Sequence, residues 1–388
     1  MKKVKCYIRG AYGPGNIGDD ILMVSTYRSL RKVFDSDEIY IGVEDTELGR
    51  TILPEANFIH IKKPFSAEVV ILGGGGQFFS FTPPASKPES LPRRVINIAK
   101  RQSGMVDTFT RVLMKAQGAY DNLYFSKNVA AYCIGLGPFE SEGKNLDRTK
   151  NILPRLSYIS VRESTSAALY QDFVPEKAAK VYTDPSFNRR LWNDSVGPGS
   201  IARNGSESED DFVTFIVRDW PHSERGQQFL TAMFDAAAIL RNKGERVRFV
   251  GLYKDRDAHL VSRARDFDWL FWEVDGTSPG TFISDLCRTS KAIVSARAHG
   301  VMLAAAFDTP SIAIEIEPKL REIHGMLPTG TRLVNEPSAE LILSEVRDLP
   351  GRRAELERNL KVEYEALERL SQRSEADLLN WVKKTGIK

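Results

Sequence analysis

The sequence has few cysteines, and their spacing argues against both a disulfide-stabilised and a zinc-binding protein. Cys6, Cys133 and Cys287 lie far apart and form no CxxC pair, so neither a disulfide framework nor a zinc knuckle is expected. Buried thiols in a reducing compartment are the better interpretation. The net charge is also small, at +3 over 388 residues. This gives no case for a general nucleic-acid binder, although a local basic site facing an anion remains compatible with it.

Long apolar runs are missing too, since none approaches the roughly 20 residues that a membrane span needs. The first ten residues are strand-like after two lysines and contain neither the apolar region nor the cleavage site of a signal peptide. We therefore expect a cytoplasmic protein. Apolar residues at 42% and charged residues at 27% are typical of a globular chain, and the length suits two domains.

Short β-rich runs alternate with helix-like stretches, which predicts parallel sheets joined by crossover helices. The pattern runs through the first half of the chain and restarts after a polar segment. The first half has strand candidates at 4–9, 38–43, 58–61, 67–72, 129–134 and 158–162 and a helix at 19–34. The second half has strand candidates at 212–218, 247–252, 292–295 and 311–316, and helices at 227–243, 281–289 and 300–307.

These elements predict an α/β fold with two Rossmann-like, doubly wound domains facing across a cleft, followed by a helical tail. Residues 1–191 form the first domain, and 192–211, rich in Gly, Ser, Asn and acidic residues, form the linker. Residues 212–335 form the second domain, and the charged stretch 336–388 forms the tail. Ligands of open parallel sheets bind at the carboxyl ends of strands, so functional residues should follow strands.

Two glycine-containing segments follow strands of the first domain. The first is Asn16-Ile17-Gly18-Asp19-Asp20, where glycine permits close approach and a helix N-terminus attracts anions. Asn16 and Asp19 are candidate ligand contacts, although at least one of the two aspartates is expected to cap the helix. The second segment is a run of four glycines at 73–76. Because each glycine raises the entropy cost of folding, close approach of a ligand explains the run better than a tight turn. It yields the candidates Gly74, Gly75 and Gly76.

Cationic side chains follow strands of the second domain. Arg297 and His299 lie two residues apart in Ser295-Ala296-Arg297-Ala298-His299-Gly300, before a helix, so they can point the same way. Arg218 ends the first strand of that domain and can bind phosphate or carboxylate bidentately. Lys319 follows the last strand as a weaker candidate, since a surface lysine is the default. Together these residues predict an anion site at the strand ends.

With these residues assembled, the chain resembles the polysaccharide pyruvyl transferase family, the ketal pyruvyltransferases of bacterial polysaccharide biosynthesis. The resemblance spans about residues 1–335. It is carried by GNIGDD at 15–20, the glycine run, SVRE at 160–163, SARAHG at 295–300 and the stretch 310–319. It implies a GT-B-like fold, phosphoenolpyruvate as the donor and a saccharide acceptor. No cofactor and no metal are implied.

The resemblance also implies roles for individual residues. Arg297 and His299 match the donor-site arginine and histidine of the family, and Arg218 matches less securely. We expect Arg218 and Arg297 to clamp the anions, with Lys319 as a weaker member, and His299 to be the general acid. The general base stays open among Asp19, Asp20 and Glu163, each of which also has a structural interpretation as a helix cap or ion-pair partner.

The acceptor is left open between a monomeric, a lipid-linked and a polymeric saccharide. Residues 93–115 carry six basic side chains among apolar ones, and such a basic amphipathic segment allows peripheral contact with an anionic membrane. A solvated helix face is an equal alternative. Two other functions compete. One is a GT-B glycosyltransferase that uses a nucleotide sugar, and the other is a non-catalytic polysaccharide-binding protein.

Overall fold

The computed structural model describes residues 3–12, 15–61, 63, 65–79, 124–139, 143–193 and 212–387. The chain divides into two compact units. The first consists of Met1–Gly13, Ser29–Tyr182 and Ala376–Lys388, and the second of Pro14–Arg28 and Thr183–Glu375. The sequence instead assigned 14–28 and 183–191 to the first domain. Most of the predicted linker, 194–211, lies outside the described residues, as does the whole of 93–115.

The first unit is built on a parallel sheet with strand order β3-β2-β1-β4-β7-β8-β9. Two further short strands lie outside this order, and each pairs with an interior strand: β5 with β7 and β6 with β4. Apolar strands buried on both faces are expected in such a sheet, and β4 and β7 fit this description. The strands are β1 Lys3–Arg9, β2 Ile39–Val43, β3 Asn57–His60, β4 Phe65–Leu72, β5 Gly75–Phe78, β6 Tyr124–Phe125, β7 Asn128–Leu136, β8 Tyr158–Val161 and β9 Lys180–Val181.

The second unit contains a parallel sheet of order β12-β11-β10-β13-β14-β15. This is the order of a doubly wound dinucleotide-type fold, in which the connections change direction between the first and fourth strands, here β10 and β13. The sheet confirms the predicted architecture of the second domain. Its strands are β10 Phe212–Val217, β11 Val247–Gly251, β12 Asp268–Phe271, β13 Ser290–Ser295, β14 Ser311–Ile314 and β15 Arg332–Val334.

Helices connect the strands, and their ends carry the expected signals. Ser223 and Ser278 cap the helices that follow them, and Gly244, with φ +88°, ends the first of these. The helices are α1 Ile17–Leu30, α2 Thr46–Ile52, α3 Lys144–Ile152, α4 Ser164–Phe173, α5 Glu224–Asn242, α6 Lys254–Asp257, α7 Pro279–Arg288, α8 Ala298–Ala305, α9 Pro318–Met326 and α10 Ala339–Lys384.

The helical tail is confirmed, because α10 is one helix of 46 residues. It belongs to the second unit as far as Glu375 and to the first unit from Ala376 onward. Within the first unit, Asp377 accepts hydrogen bonds from the Tyr158 hydroxyl at 3.0 Å and from Lys180 Nζ at 2.7 Å. The Trp381 ring lies 5.6 Å from the Tyr158 ring. These contacts fix the end of the tail beside β8 and β9.

The three cysteines are buried thiols, as predicted. Among the described residues, no helix combines the length and the apolar character that crossing a membrane requires.

Candidate functional site

The candidate site lies in the second unit, at the carboxyl ends of β10 and β13. These strands are neighbours, with Ile216 aligned to Ser295, and the Ala296 N–H donates to the Ile216 carbonyl at 2.9 Å. Arg218 directly follows β10, and Arg297 follows β13 by two residues. Both residues therefore lie at the carboxyl ends of the two strands between which the connections change direction. This is the ligand-binding edge in this class of fold.

Arg297 is held by a buried carboxylate. Its Nη2 donates to both oxygens of Asp257, at 2.7 and 2.6 Å, and its Nε donates to the Val217 carbonyl at 3.3 Å. The side chains of Arg297 and Asp257 are 11% and 0% exposed, respectively. Nη1 of Arg297 has no hydrogen-bond partner among the residues that the structure describes. The guanidinium is thus fixed on one side and retains donors on the other.

Arg218 is the second guanidinium at this edge. It forms an ion pair with Glu317 and lies over the Trp220 ring, with Cζ 4.3 Å from the ring centroid. Burial lowers the pKa of Arg218, and the nearby positive charge of Arg297 lowers that pKa further, whereas Glu317 raises it. This effect of Arg297 on the pKa of Arg218 indicates that the two positive charges lie close together. The two predicted clamp residues are therefore brought to one place, each with its own carboxylate partner.

His299 is the second residue of α8, and its side chain is 14% exposed. Nε2 lies 4.0 Å from Oδ2 of Asp184, a carboxylate that is itself buried. The ring packs on Gly18 so closely that a Cβ there would lie 2.1 Å from Nδ1. Only glycine at position 18 leaves room for the imidazole in this orientation.

The segment from Asn16 to Asp20 belongs to the second unit, not to the opposite domain as the sequence suggested. Backbone pairing is the reason. Asn16 forms an antiparallel bridge with Tyr253, and the Ile17 N–H donates to the Leu252 carbonyl at 3.1 Å. The side chain of Asn16 donates from Nδ2 to Oδ2 of Asp19 at 2.7 Å. Both predicted contact residues thus lie beside the end of β11, and the same segment carries the glycine that touches His299.

The three candidate bases have different surroundings. Asp20 is completely buried and accepts from Nε1 of Trp272 at 2.7 Å through Oδ2, while Oδ1 has no partner in the described part of the chain. Burial raises the pKa of Asp20 well above its usual range, which favours the neutral acid and makes Asp20 a poor base. Asp19 is half-buried. A role for Asp19 as the general base stays a prediction.

Glu163, the third candidate, belongs to the first unit. Its Oε2 accepts from Arg162 Nε at 2.8 Å, and its Oε1 accepts from the Ser166 hydroxyl. Ser166 in turn accepts from the Leu136 N–H at 2.8 Å. The Arg162 guanidinium lies against Gly135, where a Cβ would come within 2.6 Å of it. This carboxylate ties β7 to the start of α4, which is the structural role foreseen as its alternative.

The glycine run also belongs to the first unit, at the carboxyl end of β4. The Gly73 N–H donates to the Arg9 carbonyl at 2.8 Å, and the chain then enters β5, with Gly75 and Gly76 aligned to Ile134 and Gly135. Gly75 has φ +99°, a conformation that favours glycine. Gly74 precedes this strand and is buried. A ligand role for Gly74, Gly75 and Gly76 stays a prediction.

Comparison with known proteins identifies the family. A family model described as polysaccharide pyruvyl transferase matches residues 16–318. The chain belongs to the polysaccharide pyruvyl transferase family. The matched range includes eight of the nine predicted site residues and ends one residue before the ninth, Lys319. Membership of this family indicates a transferase of polysaccharide biosynthesis. A search of curated proteins finds no match.

Solved structures agree on the fold. HepE of Anabaena in complex with UDP-glucose is 11% identical, with a TM-score of 0.58 covering 97% of this chain and 99% of that one. UDP-GlcNAc 2-epimerase of Neisseria meningitidis bound to UDP-GlcNAc is 10% identical, with a TM-score of 0.50 covering 98% and 100%. At such identities the likeness concerns the fold alone. It confirms the predicted GT-B-like α/β class for this family member.

The sequence predicted that Arg218, Arg297 and His299 follow strands of the second domain, and the structure places them there. The sequence did not predict the carboxylates that face them. Asp257, Glu317 and Asp184 face Arg297, Arg218 and His299, respectively. Only Glu317 lay in a stretch that the sequence singled out. Lys319 lies in the first turn of α9, after the carboxyl end of β14, and is half-buried. It shares this edge of the sheet with the two arginines.

Proposed function

We propose that the protein transfers a pyruvyl group from phosphoenolpyruvate to two hydroxyls of a sugar in a bacterial polysaccharide or its lipid-linked precursor. The product is a pyruvate ketal, and phosphate is released. The observation that carries this proposal is the position of Arg218, Arg297 and His299 at one switch-point edge of one sheet. Family membership independently supports a pyruvyl transfer.

The arginines suit the donor. Phosphoenolpyruvate carries a carboxylate and a phosphate on three carbons, and guanidinium groups bind both anions through paired N–H donors. Arg297 keeps Nη1 for this purpose, because its contacts with Asp257 are made through Nη2. Arg218 donates to Glu317 through Nη1. Lys319 adds a weaker positive charge at the same edge. Positive charge held in place also stabilises the leaving phosphate.

His299 is assigned as the general acid. Protonation of the donor's methylene carbon creates a methyl group and cationic character at the central carbon, where the first sugar hydroxyl attacks. The second hydroxyl closes the ring as the carbon–oxygen bond to phosphate breaks. Of the two hydroxyl protons, one balances the proton that His299 supplied, and the other leaves on phosphate. Asp19 is assigned as the base, because Asp20 is buried and Glu163 is held in an ion pair.

The acceptor side of the proposal rests on the family. A saccharide is the expected acceptor, and we propose that the protein works in the cytoplasm, where phosphoenolpyruvate is available. Peripheral membrane contact through 93–115 remains part of the proposal, although that segment lies outside the described residues. A nucleotide-sugar glycosyltransferase is the alternative, and its support is limited to the fold shared with the UDP-glucose complex of HepE.

The test is turnover with phosphoenolpyruvate and a panel of galactosyl, mannosyl and glucosyl acceptors. Phosphate release should match, mole for mole, an acceptor mass gain of one pyruvic acid less one water. His299→Ala and Arg297→Ala should each lower kcat by about 10²–10⁴-fold, the usual contribution of an acid or a fixed charge, while circular dichroism stays unchanged. Near-normal rates in both variants would reject the assignment of these residues.

A further inference from the structure

Asp257 is a buried carboxylate to which the proposed reaction gives no role. It ends the short helix α6 after β11 and is 0% exposed. Its oxygens receive Nη2 of Arg297 at 2.7 and 2.6 Å, and Oδ2 also receives the Tyr253 N–H at 3.2 Å. A buried charge persists only where it is paired and hydrogen-bonded. Asp257 meets this condition through Arg297.

The same carboxylate joins the two segments that hold the remaining site residues. Tyr253, whose N–H binds Asp257, also forms the backbone bridge to Asn16. The adjacent backbone hydrogen bond runs from Ile17 to Leu252, and Gly18 then supports the His299 ring. Asp257 thus connects the Arg297 end of β13 with the loop that contacts His299.

The geometry restricts Arg297 to one orientation. Nη2 is occupied by Asp257 and Nε by the Val217 carbonyl. Because a guanidinium is planar, these two contacts determine where its Nη1 donors point. They also carry a cost for anion binding, since the negative charge of Asp257 offsets the positive charge of Arg297. Asp257 therefore has two opposite effects: it fixes the direction of Nη1, and it weakens the attraction of Arg297 for an anion.

We propose that Asp257 is a positioning residue for Arg297: it fixes the guanidinium so that Nη1 meets the donor's anionic group in the reactive orientation. This inference rests on the proposed function. Loss of the carboxylate charge should lower kcat, because Arg297 rotates away from the reactive geometry. It should not weaken binding of phosphoenolpyruvate, because the site becomes more positive by one charge. A residue that only stabilises the fold would not separate these two quantities.

The experiment compares Asp257→Asn with Asp255→Asn, an exposed aspartate on the same helix. For Asp257→Asn, kcat should fall by at least about tenfold, the size of effect that a misplaced group has on rate. Its Kd for phosphoenolpyruvate, measured by calorimetry, should stay equal or decrease. Asp255→Asn should match the unsubstituted protein in both. Unchanged kcat in Asp257→Asn, or a Kd that rises as much as kcat falls, would overturn the proposal.

Asp257→Glu covers the case in which the asparagine variant does not fold. It keeps the buried charge but moves the carboxylate by one methylene, so it should fold and still lose at least about tenfold in kcat. Wild-type kcat in this variant would overturn the proposal as well.

A spectroscopic readout separates failure of the proposal from failure of the proposed function. In unliganded protein labelled with ¹⁵N-arginine, the Arg297 guanidinium, assigned with Arg297→Lys, should show restricted rotation that Asp257→Asn releases. The same restricted signal in Asp257→Asn would contradict the positioning role. If the unsubstituted protein neither binds nor converts phosphoenolpyruvate, the proposed function fails, and this measurement still tests the contact.

Discussion

At the residue scale, the contact between Gly18 and His299 allows the proposed general acid to be displaced by a single substitution. Gly18→Ala would place a methyl group 2.1 to 2.6 Å from the imidazole atoms, so the ring has to move. We expect kcat to fall by about tenfold or more, since small displacements of a reacting group are costly, with secondary structure unchanged. Steady-state kinetics with phosphoenolpyruvate measure the effect.

Gly325→Ala is the matched control. It lies on an exposed turn of α9, and nothing is within 4 Å of its added Cβ. Because alanine favours helix over glycine by up to about 1 kcal/mol, this variant should be as active as the unsubstituted protein and slightly more stable. Wild-type kinetics in Gly18→Ala would show that the imidazole position is unimportant.

The buried carboxyl group of Asp20 should make the free energy of unfolding depend on pH. Burial raises the pKa of Asp20 in the folded protein, so the unfolded chain releases this proton at lower pH than the folded chain does. The free energy of unfolding then decreases as pH rises from the ordinary aspartate pKa, about 3.9, to the raised folded value. Asp20→Asn removes this decrease, and its amide oxygen can still accept from Trp272.

The free energy of unfolding of Asp20→Asn, relative to that of the unsubstituted protein, should therefore increase between pH 4 and pH 7. The increase is about 1.4 kcal/mol for each pH unit between the unfolded and the folded pKa of Asp20. Calorimetry at several pH values measures it. Asp235→Asn, an exposed substitution on α5, should show a constant difference. A constant difference for Asp20→Asn as well would mean that the carboxyl ionises as freely in the fold as in the unfolded chain.

At the element scale, the sequence predicted most strands of both sheets. β4, β7 and β10 were found within a few residues of their ends, because strands buried on both faces have few polar interruptions. β1 was found as well, although it reads Lys-Val-Lys-Cys-Tyr-Ile-Arg and has basic residues between its apolar ones. Among the elements missed, β12 reads Asp-Trp-Leu-Phe at a sheet edge and β15 has three residues. β5 includes two glycines, which oppose strand formation. Its pairing comes from its neighbour β7, which local sequence does not report.

The residues of the candidate site also divide into those whose position the sequence predicted and those whose position it did not. Arg218, Arg297 and His299 were predictable, because a residue directly after a parallel strand lies at the ligand-binding edge. Their carboxylate partners were not, because Asp257 and Glu317 are 40 and 99 residues away from Arg297 and Arg218. The location of Asn16 and Asp19 was missed for a related reason. Their loop follows β1 in sequence, yet its backbone pairs with Leu252 and Tyr253.

The tail helix α10 allows a comparison within one element. Leu378 is completely buried in the part of α10 that belongs to the first unit, whereas Leu341 is 42% exposed near the start of the helix. Leu378→Ala should lower the free energy of unfolding by about 2–5 kcal/mol, and Leu341→Ala should change it by no more than about 0.5 kcal/mol. Urea unfolding measures both. Equal effects would mean that the end of the tail does not stabilise the first unit.

At the scale of the whole molecule, fold and function have different support. The GT-B-like fold is shared with proteins solved with UDP-glucose and UDP-GlcNAc, and one fold hosts many functions. The family model, in contrast, covers the arginines and the histidine of the site. Two guanidinium groups beside an imidazole suit a small, highly charged donor, and this local chemistry supports the proposal that the donor is phosphoenolpyruvate and not a nucleotide sugar.

The most direct test of this claim is calorimetric titration of the unsubstituted protein and of Arg297→Lys with phosphoenolpyruvate and with UDP-glucose. We predict that phosphoenolpyruvate binds the unsubstituted protein and that UDP-glucose gives no signal. Arg297→Lys should weaken the binding of phosphoenolpyruvate at least about tenfold, because lysine lacks the planar guanidinium that Asp257 and the Val217 carbonyl hold in place. Binding of UDP-glucose together with no binding of phosphoenolpyruvate would contradict the account.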